Sequence, residues 1–163
     1  MTDPAITSLA TEVLDICRER GLTAATVESC TGGLVSGALT AIAGSSAVVL
    51  GGFVTYSNEA KTALAGVPEG LIAEFGAVSE PVARAMAEGG REHIGASLTV
   101  SITGIAGPGG GSAQKPVGLV HFGCAGPHGT LHREKRFGPL DRDEIRRLSV
   151  LEALDLLRES AQG

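Results

Sequence analysis

Three short apolar runs, "TAATV" (23–27), "AVVLGGFVTYS" (47–57) and "SLTVSITG" (97–104), are separated by segments of helical spacing. Strands that alternate with helices require a partly parallel sheet with helices on its faces. Ahead of the first run, Leu9, Val13, Leu14, Ile16 and Cys17 recur at helical spacing, and Gly21 ends the pattern. "TGGLVSGALTAIAG" (31–44) reads as a small-residue helix that opens at its glycines. In the second run Gly51 and Gly52 mark a bulge or the close approach of another backbone. Asn58 is the expected N-cap of a short helix, "EAKTALAG" (59–66), which "GVP" breaks. Two more helices follow, "EGLIAEFG" (69–76) and "SEPVARAMAEGGREHIG" (79–95), the latter capped by Ser79 with Pro81 in its first turn.

After the third run, "VGLVHFGCAG" (117–126) and "GTLHREKRFG" (129–138) form a hairpin through a Pro-His turn. "DRDEIRRLSVLEALDLLRES" (141–160) closes the pattern as an amphipathic helix, with Ile145, Leu148, Leu151, Leu154 and Leu157 on or near one stripe. The predicted fold class is α/β, a three-layer α/β/α sandwich with a mixed sheet. At 43% apolar content, residues 1–163 carry enough material for one core and are expected to form a single domain.

Composition excludes several function classes. Aromatic residues make up 3% of the chain and the net charge is -5, a poor match to a nucleic-acid binder. The basic run "HREKR" (132–136) alternates as the wet face of a strand does. Cys17, Cys30 and Cys124 form no CxxC pair, which argues against a disulfide framework or a structural zinc site and for a reducing, cytoplasmic setting. The first 21 residues carry acids from position 3 and lack a long apolar core, so they read as neither a signal peptide nor a membrane span.

In such sheets ligands gather at the carboxyl ends of strands, which makes "ESCTGG" (28–33), "TYSNEAK" (55–61) and "TGIAGPGGG" (103–111) the candidate loops. Ser29 is either a nucleophile or only a helix cap. Thr31, Gly32 and Gly33 open the next helix, and their N–H groups are expected to point into the same space and hold an oxyanion or phosphate. A hydroxyl nucleophile needs a base. None of His93, His121, His128 and His132 has a neighbouring acid at a telling position. Lys61 falls at the third position of its predicted helix, where the helix end opposes an ammonium. That end and a partly dry cleft would lower its pKa toward that of a base; about three units correspond to roughly 4 kcal/mol.

Tyr56, the one tyrosine, stands five residues before Lys61 and could relay the proton or orient the pair. The Thr103 hydroxyl and the N–H groups of its glycine-rich loop would line the cleft opposite Ser29. Cys30 with a histidine base is the alternative nucleophile. "SAQK" (112–115) matches an S-x-x-K pattern but lies between glycines and Pro116 instead of opening a helix. GxGxxG, GxxxxGK[ST] and HExxH are all missing, so neither a cofactor nor a metal is expected.

"AATVESCTGGLVSGALTAIAGSS" (24–46), "GGFVTYSNEAKTALAGV" (51–67), "GAVSEPVARAMA" (76–87) and "SITGIAGPGGGSAQKPVGLVHF" (101–122) occur in this order over nearly the whole chain. Together they resemble the C-terminal domain of the competence/damage-inducible CinA family. Standalone members of that family are nicotinamide-nucleotide amidohydrolases, also called NMN deamidases or PncC.

The resemblance implies the CinA C-terminal domain-like three-layer fold and the conversion of nicotinamide mononucleotide to nicotinate mononucleotide and ammonia, in the recycling of pyridine nucleotides toward NAD. It implies Ser29 as nucleophile, Lys61 as general base and Tyr56 as the third catalytic residue. Cys30, Thr31, Gly32, Gly33, Thr103 and Gly104 would contact the substrate or its oxyanion, and Arg142 in "GPLDRDEIRR" (138–147) the nucleotide, where a guanidinium suits phosphate. No metal or cofactor is implied; a homo-oligomer, a dimer foremost, is.

The segment beyond residue 155 is weakly specified by the family. Full-length members carry an N-terminal nucleotide pyrophosphatase domain with no counterpart in this sequence, so that activity is not expected here. The rival reading is a non-catalytic module that binds a nucleotide or a protein partner.

Overall fold

The computed structural model describes residues 3–163, so Met1 and Thr2 of the expected domain lie outside the described residues. Helix α1 (Pro4–Arg20) opens where the Asp3 carboxylate accepts the Ala5 N–H, and closes at Gly21 in the left-handed region. Strand β1 (Ala24–Glu28) is buried along its whole length. It pairs in parallel with β2 (Val49–Val54) on one side and β3 (Leu98–Gly104) on the other. Strands β4 (Leu119–Gly126) and β5 (Gly129–Arg136) add an antiparallel hairpin, giving the order β2-β1-β3-β4-β5.

The crossover from β1 to β2 carries α2 (Leu34–Thr40), and that from β2 to β3 carries α3 (Asn58–Ala65), α4 (Glu69–Phe75) and α5 (Glu80–Ile94); α6 (Arg142–Gln162) follows the hairpin. Helices α1, α2 and α6 share a core with Val100, Ile102 and Phe122 on one face of the sheet. On the other face α3, α4 and α5 close over Val27, through Ala65, Val67, Ile72, Val82 and Met86. This is the predicted three-layer α/β/α arrangement with a mixed sheet. Among the described residues, no helix is long and apolar enough to cross a membrane.

Both readings of the Gly51–Gly52 pair hold. The β1–β2 register slips between Ala24 and Ala25, so that Ala24 faces Val49 and Ala25 faces Gly51. A Cβ on Gly52 would strike the Thr26 and Ser36 hydroxyl oxygens. On the opposite face, a Cβ on Gly89 of α5 would collide with the Ala65 carbonyl at the end of α3. Gly89 therefore seats α3, the helix that carries Lys61, tightly against α5, and Gly90 lets α5 lie close against Val27 and Thr99 of the sheet.

Three local expectations change. Ser57, not Asn58, caps α3: its backbone is still extended and its hydroxyl accepts the Ala60 N–H at 3.0 Å, while Asn58 is already helical. Ser79 sits at the N-cap of α5 but its hydroxyl donates to the Gly76 carbonyl instead of capping the helix. The buried face of α6 is rotated from the leucine stripe, because Ser149, Val150, Ala153 and Leu156 join Ile145, Leu154 and Leu157, leaving Leu148 and Leu151 half-buried. Beyond residue 155 the helix continues to pack as expected, with Leu156, Leu157 and Ala161 in the core.

The Gly89 contact yields a stability test. Gly89→Ala must push α3 outward and is expected to destabilise the chain by about 1–3 kcal/mol, measured by urea unfolding. A loss below about 0.5 kcal/mol, the range of a neutral surface change, would show that the two helices are not in backbone contact.

Candidate active site

The three parallel strands end side by side, and their following loops enclose a cleft of about 270 Å³ lined by Ser29, Tyr56, Lys61, Thr103, the Gly104–Gly107 turn and Arg142. A wider hollow of about 750 Å³ lies at the opposite end of the sheet, beside Leu98, the Pro127–His128 turn and the end of α6. Among the described residues, no hydroxyl or thiol in that hollow has an amine or imidazole as hydrogen-bond partner.

Lys61 stands in the second turn of α3, the fourth helical position given the Ser57 cap. A long helical side chain lies back toward the helix N-terminus, which here means toward the end of β2. Its Nζ sits 3.1 Å from Ser29 Oγ, 2.9 Å from the Thr55 carbonyl oxygen and 3.4 Å from that of Tyr56. Lys61 is 1% exposed and Ser29 8%. Burial pushes the Lys61 amine below the ordinary lysine range. The predicted helix-end contribution is secondary at this position, because that field fades within the first turn.

A neutral amine has two N–H bonds and one lone pair. Were the amine neutral, the Thr55 and Tyr56 carbonyls would take its two N–H bonds and its lone pair would face Ser29 Oγ, the arrangement of a base beside its nucleophile.

The turn after β1 departs from expectation. Its helix-opening amides do not face the cleft, because Glu28 consumes them. Glu28 Oε1 accepts from the Thr31 hydroxyl at 2.6 Å and from the N–H groups of Val35 and Gly33 at 2.9 and 3.2 Å, and Oε2 accepts from Ser36 N–H at 3.0 Å. Gly32 N–H donates to the Ser29 carbonyl. Thr31, Gly32 and Gly33 thus lie behind the cleft wall, where Gly32 and Gly33 supply the positive φ values, 56° and 104°, that bend the chain into α2. Among the described residues, the N–H groups of Cys30, Ala106 and Gly107 on the wall have no hydrogen-bond partner.

Tyr56 is 63% exposed at the mouth of the cleft. Its phenol does not reach toward Lys61 as a relay: its oxygen accepts from Arg142 Nη2 at 3.2 Å, and Arg142 Nη1 donates to the Gly107 carbonyl at 2.8 Å. The Thr103 hydroxyl is likewise committed, to the Ala77 carbonyl at 2.9 Å. Gly104 lets the loop pass against Val120, whose methyl carbon a Cβ would approach to 2.7 Å.

Cys30 lines the cleft, but burial pushes its thiol up to about 12, far from a usable thiolate. No histidine reaches it. His121 and His132 bond to each other at 2.9 Å behind the wall, and acids do stand beside them: Glu134 is 3.7 Å from His121 and Glu80 is 3.7 Å from His132. Pairing of β4 with β5 brings Glu134 to His121, and packing of α5 on the sheet brings Glu80 to His132, and no sequence spacing announces either. The "SAQK" segment is a loop whose Lys115 Nζ donates to the Phe75 carbonyl. In the basic run, Arg133 turns toward α6 and pairs with Glu152, Asp155 and Glu159.

Two structural members of the site escaped the sequence reading. Glu28 carried a signal, an acid closing an otherwise apolar strand just before a helix N-terminus. Arg146, whose Nε donates to the Cys30 carbonyl at 3.1 Å, carried none, because α6 reaches the turn only through tertiary packing.

The CinA C-terminal domain family model matches residues 6–161. A CinA-like protein of Synechococcus sp. (strain RCC307) is 57% identical over 152 residues, 93% of this chain and 36% of that protein. A CinA-like protein of Geobacter sulfurreducens is 51% identical over 151 residues, again 93% of this chain and 36% of the relative. The chain therefore spans about a third of the length of these curated relatives. Among solved structures, the competence/damage inducible protein CihA from Agrobacterium tumefaciens superposes with a TM-score of 0.96 at 48% identity, covering 100% of this chain and 99% of that one. A CinA superfamily protein from Escherichia coli superposes with a TM-score of 0.91 at 32% identity, covering 98% and 93%.

The buried amine makes a testable demand on stability. With its folded pKa below the unfolded value, the unfolded chain binds more protons between the two, so stability rises with pH across that window. Lys61→Met removes this burden and is expected to melt about 2–4 °C above the wild type near pH 6, about 1 kcal/mol, with the gap narrowing toward pH 10. A gap that does not change with pH contradicts the shifted amine.

Proposed function

This chain belongs to the CinA C-terminal domain family, and from that premise we propose that it hydrolyses the carboxamide of nicotinamide mononucleotide to nicotinate mononucleotide and ammonia. The observation that carries the reading is the 3.1 Å contact between the buried Lys61 amine and Ser29 Oγ at the cleft wall. Neutral Lys61 takes the hydroxyl proton as Oγ attacks the carboxamide carbon, and the carbonyl electron pair moves onto oxygen. The N–H groups of Cys30, Ala106 and Gly107 are the donors available to that oxyanion. Lys61 then passes its proton to the departing nitrogen, the C–N bond breaks and ammonia leaves. Water, deprotonated by the same amine, attacks the ester carbon, and Oγ departs with the proton restored.

Tyr56 completes the group through two different atoms. Its carbonyl takes one N–H of Lys61, and its phenol holds Arg142 at the mouth. A guanidinium there suits the phosphate of a nucleotide whose pyridine ring enters first. Thr103 and Gly104 shape the opposite wall, while Thr31, Gly32 and Gly33 support the turn from behind.

Ammonia release from nicotinamide mononucleotide tests the proposal. Ser29→Ala and Lys61→Ala are each expected to lower kcat by at least about 10³-fold, and Arg142→Ala to raise KM by about 10-fold or more, the worth of a charged hydrogen bond. Since the neutral amine is the active form, kcat/KM should climb with pH through the lowered Lys61 pKa and then level off. Equal ammonia release from wild type, Ser29→Ala and Lys61→Ala, or none from wild type, would refute the assignment.

A further inference from the structure

Glu28 ends β1 and is 1% exposed. A carboxylate so buried is tolerable only when its lone pairs are used, and here four donors use them. The result at the helix is subtractive: the carboxylate fills the N-terminus of α2, the place that would otherwise receive an anion. The result at the turn is constructive. The Glu28–Thr31 side-chain bond spans just two residues, Ser29 and Cys30. It fixes both the hydroxyl beside Lys61 and the unpartnered amide of Cys30 on the cleft wall.

The backbone of Glu28 reaches the other reacting group. Its carbonyl accepts the Thr55 N–H at 2.8 Å, and the Thr55 carbonyl accepts from Lys61 Nζ at 2.9 Å. One residue therefore references both members of the pair, Ser29 through its side chain and Lys61 through its main chain. Ser29 N–H, bonded to the Ile102 carbonyl at 2.9 Å, anchors the turn to the neighbouring strand.

We propose that Glu28 is the positioning residue of this site: its carboxylate, acting through the Thr31 hydroxyl and the α2 amides, sets the reach of Ser29 Oγ to the Lys61 amine. The proposal rests on reading Ser29 and Lys61 as the reacting pair. Displacing a reacting atom by about 1 Å costs about 10²-fold in rate, so loss of the clamp should appear in kcat with little change in KM.

The test measures phosphonylation by a fluorophosphonate, in which the Ser29 oxygen forms a bond to phosphorus and fluoride departs, followed by intact mass. Ammonia release from nicotinamide mononucleotide is measured on the same preparations. Thr31→Val, which keeps shape but removes the donor, and Glu28→Gln are expected to label about 10²-fold more slowly than wild type per folded molecule. Their kcat should fall in parallel and KM should move less than about threefold. Thr31→Ser, which restores the hydroxyl, should return to within about threefold of wild type in both readouts.

Should Glu28→Gln fail to fold, the two Thr31 variants decide. Labelling of folded Thr31→Val at the wild-type rate would overturn the proposal, as would a Thr31→Ser variant no better than Thr31→Val. A wild type that labels at Ser29 but releases no ammonia would remove the substrate reading alone, and the labelling rates would still decide the role of Glu28. A wild type that does not label at all would overturn both.

Discussion

A lysine amine held out of water against two main-chain carbonyls organises everything else at the strand ends. Burial favours its neutral form, the Thr55 and Tyr56 carbonyls accept its N–H bonds, and Ser29 Oγ lies 3.1 Å from the same nitrogen. None of these conditions is sufficient alone. An exposed lysine would stay protonated and repel a proton, and a buried one without the carbonyls would have no preferred direction. The neighbouring loops can be read as what keeps this amine dry and aimed.

The sheet supplies that precision through parallel pairing. Because β1, β2 and β3 run the same way, their carboxyl ends arrive together, and Glu28 lies opposite Val54 and Ile102 in adjacent registers. Ser29, the proposed nucleophile, then leaves β1 one residue beyond the last pair, and Lys61, the proposed base, returns from the first turns of the helix after β2. Tight backbone contacts at Gly52 and Gly89 leave α2 and α3 little room to drift. Rigidity here comes from strand register and small residues more than from large side chains, which suits a chain with 24 glycines and few aromatics.

Much of this was legible in advance. Strand and helix periodicity located the elements, glycine marked helix ends at Gly21, Gly66 and Gly95, the strand-end rule led to Ser29 and Lys61, and only the family resemblance pointed to Arg142. What sequence could not supply was direction. The hydroxyl of Thr103 and the amide of Gly33 are suitable ligand groups by type, yet each is engaged by a neighbour, Ala77 or Glu28, that only tertiary structure brings there. Tyr56 shows the same limit: proximity in sequence to Lys61 placed its carbonyl on the amine and sent its phenol to Arg142. The rotated face of α6 arose because Ser149 and Ala153, weak in any hydrophobic count, are the residues small enough to lie under the neighbouring helices.

The chemistry proposed at the strand ends depends on the protonation of one side chain, and the sequence makes it accessible, since Lys61 shares the chain with only Lys115 and Lys135. Titration of the three Nζ resonances by NMR of lysine labelled with nitrogen-15, in wild type and in Lys61→Arg to identify the signal, measures it directly. The Lys61 resonance is expected to titrate clearly below the ordinary lysine range. A Lys61 amine that loses its proton near the ordinary value of about 10.4 would contradict the buried base.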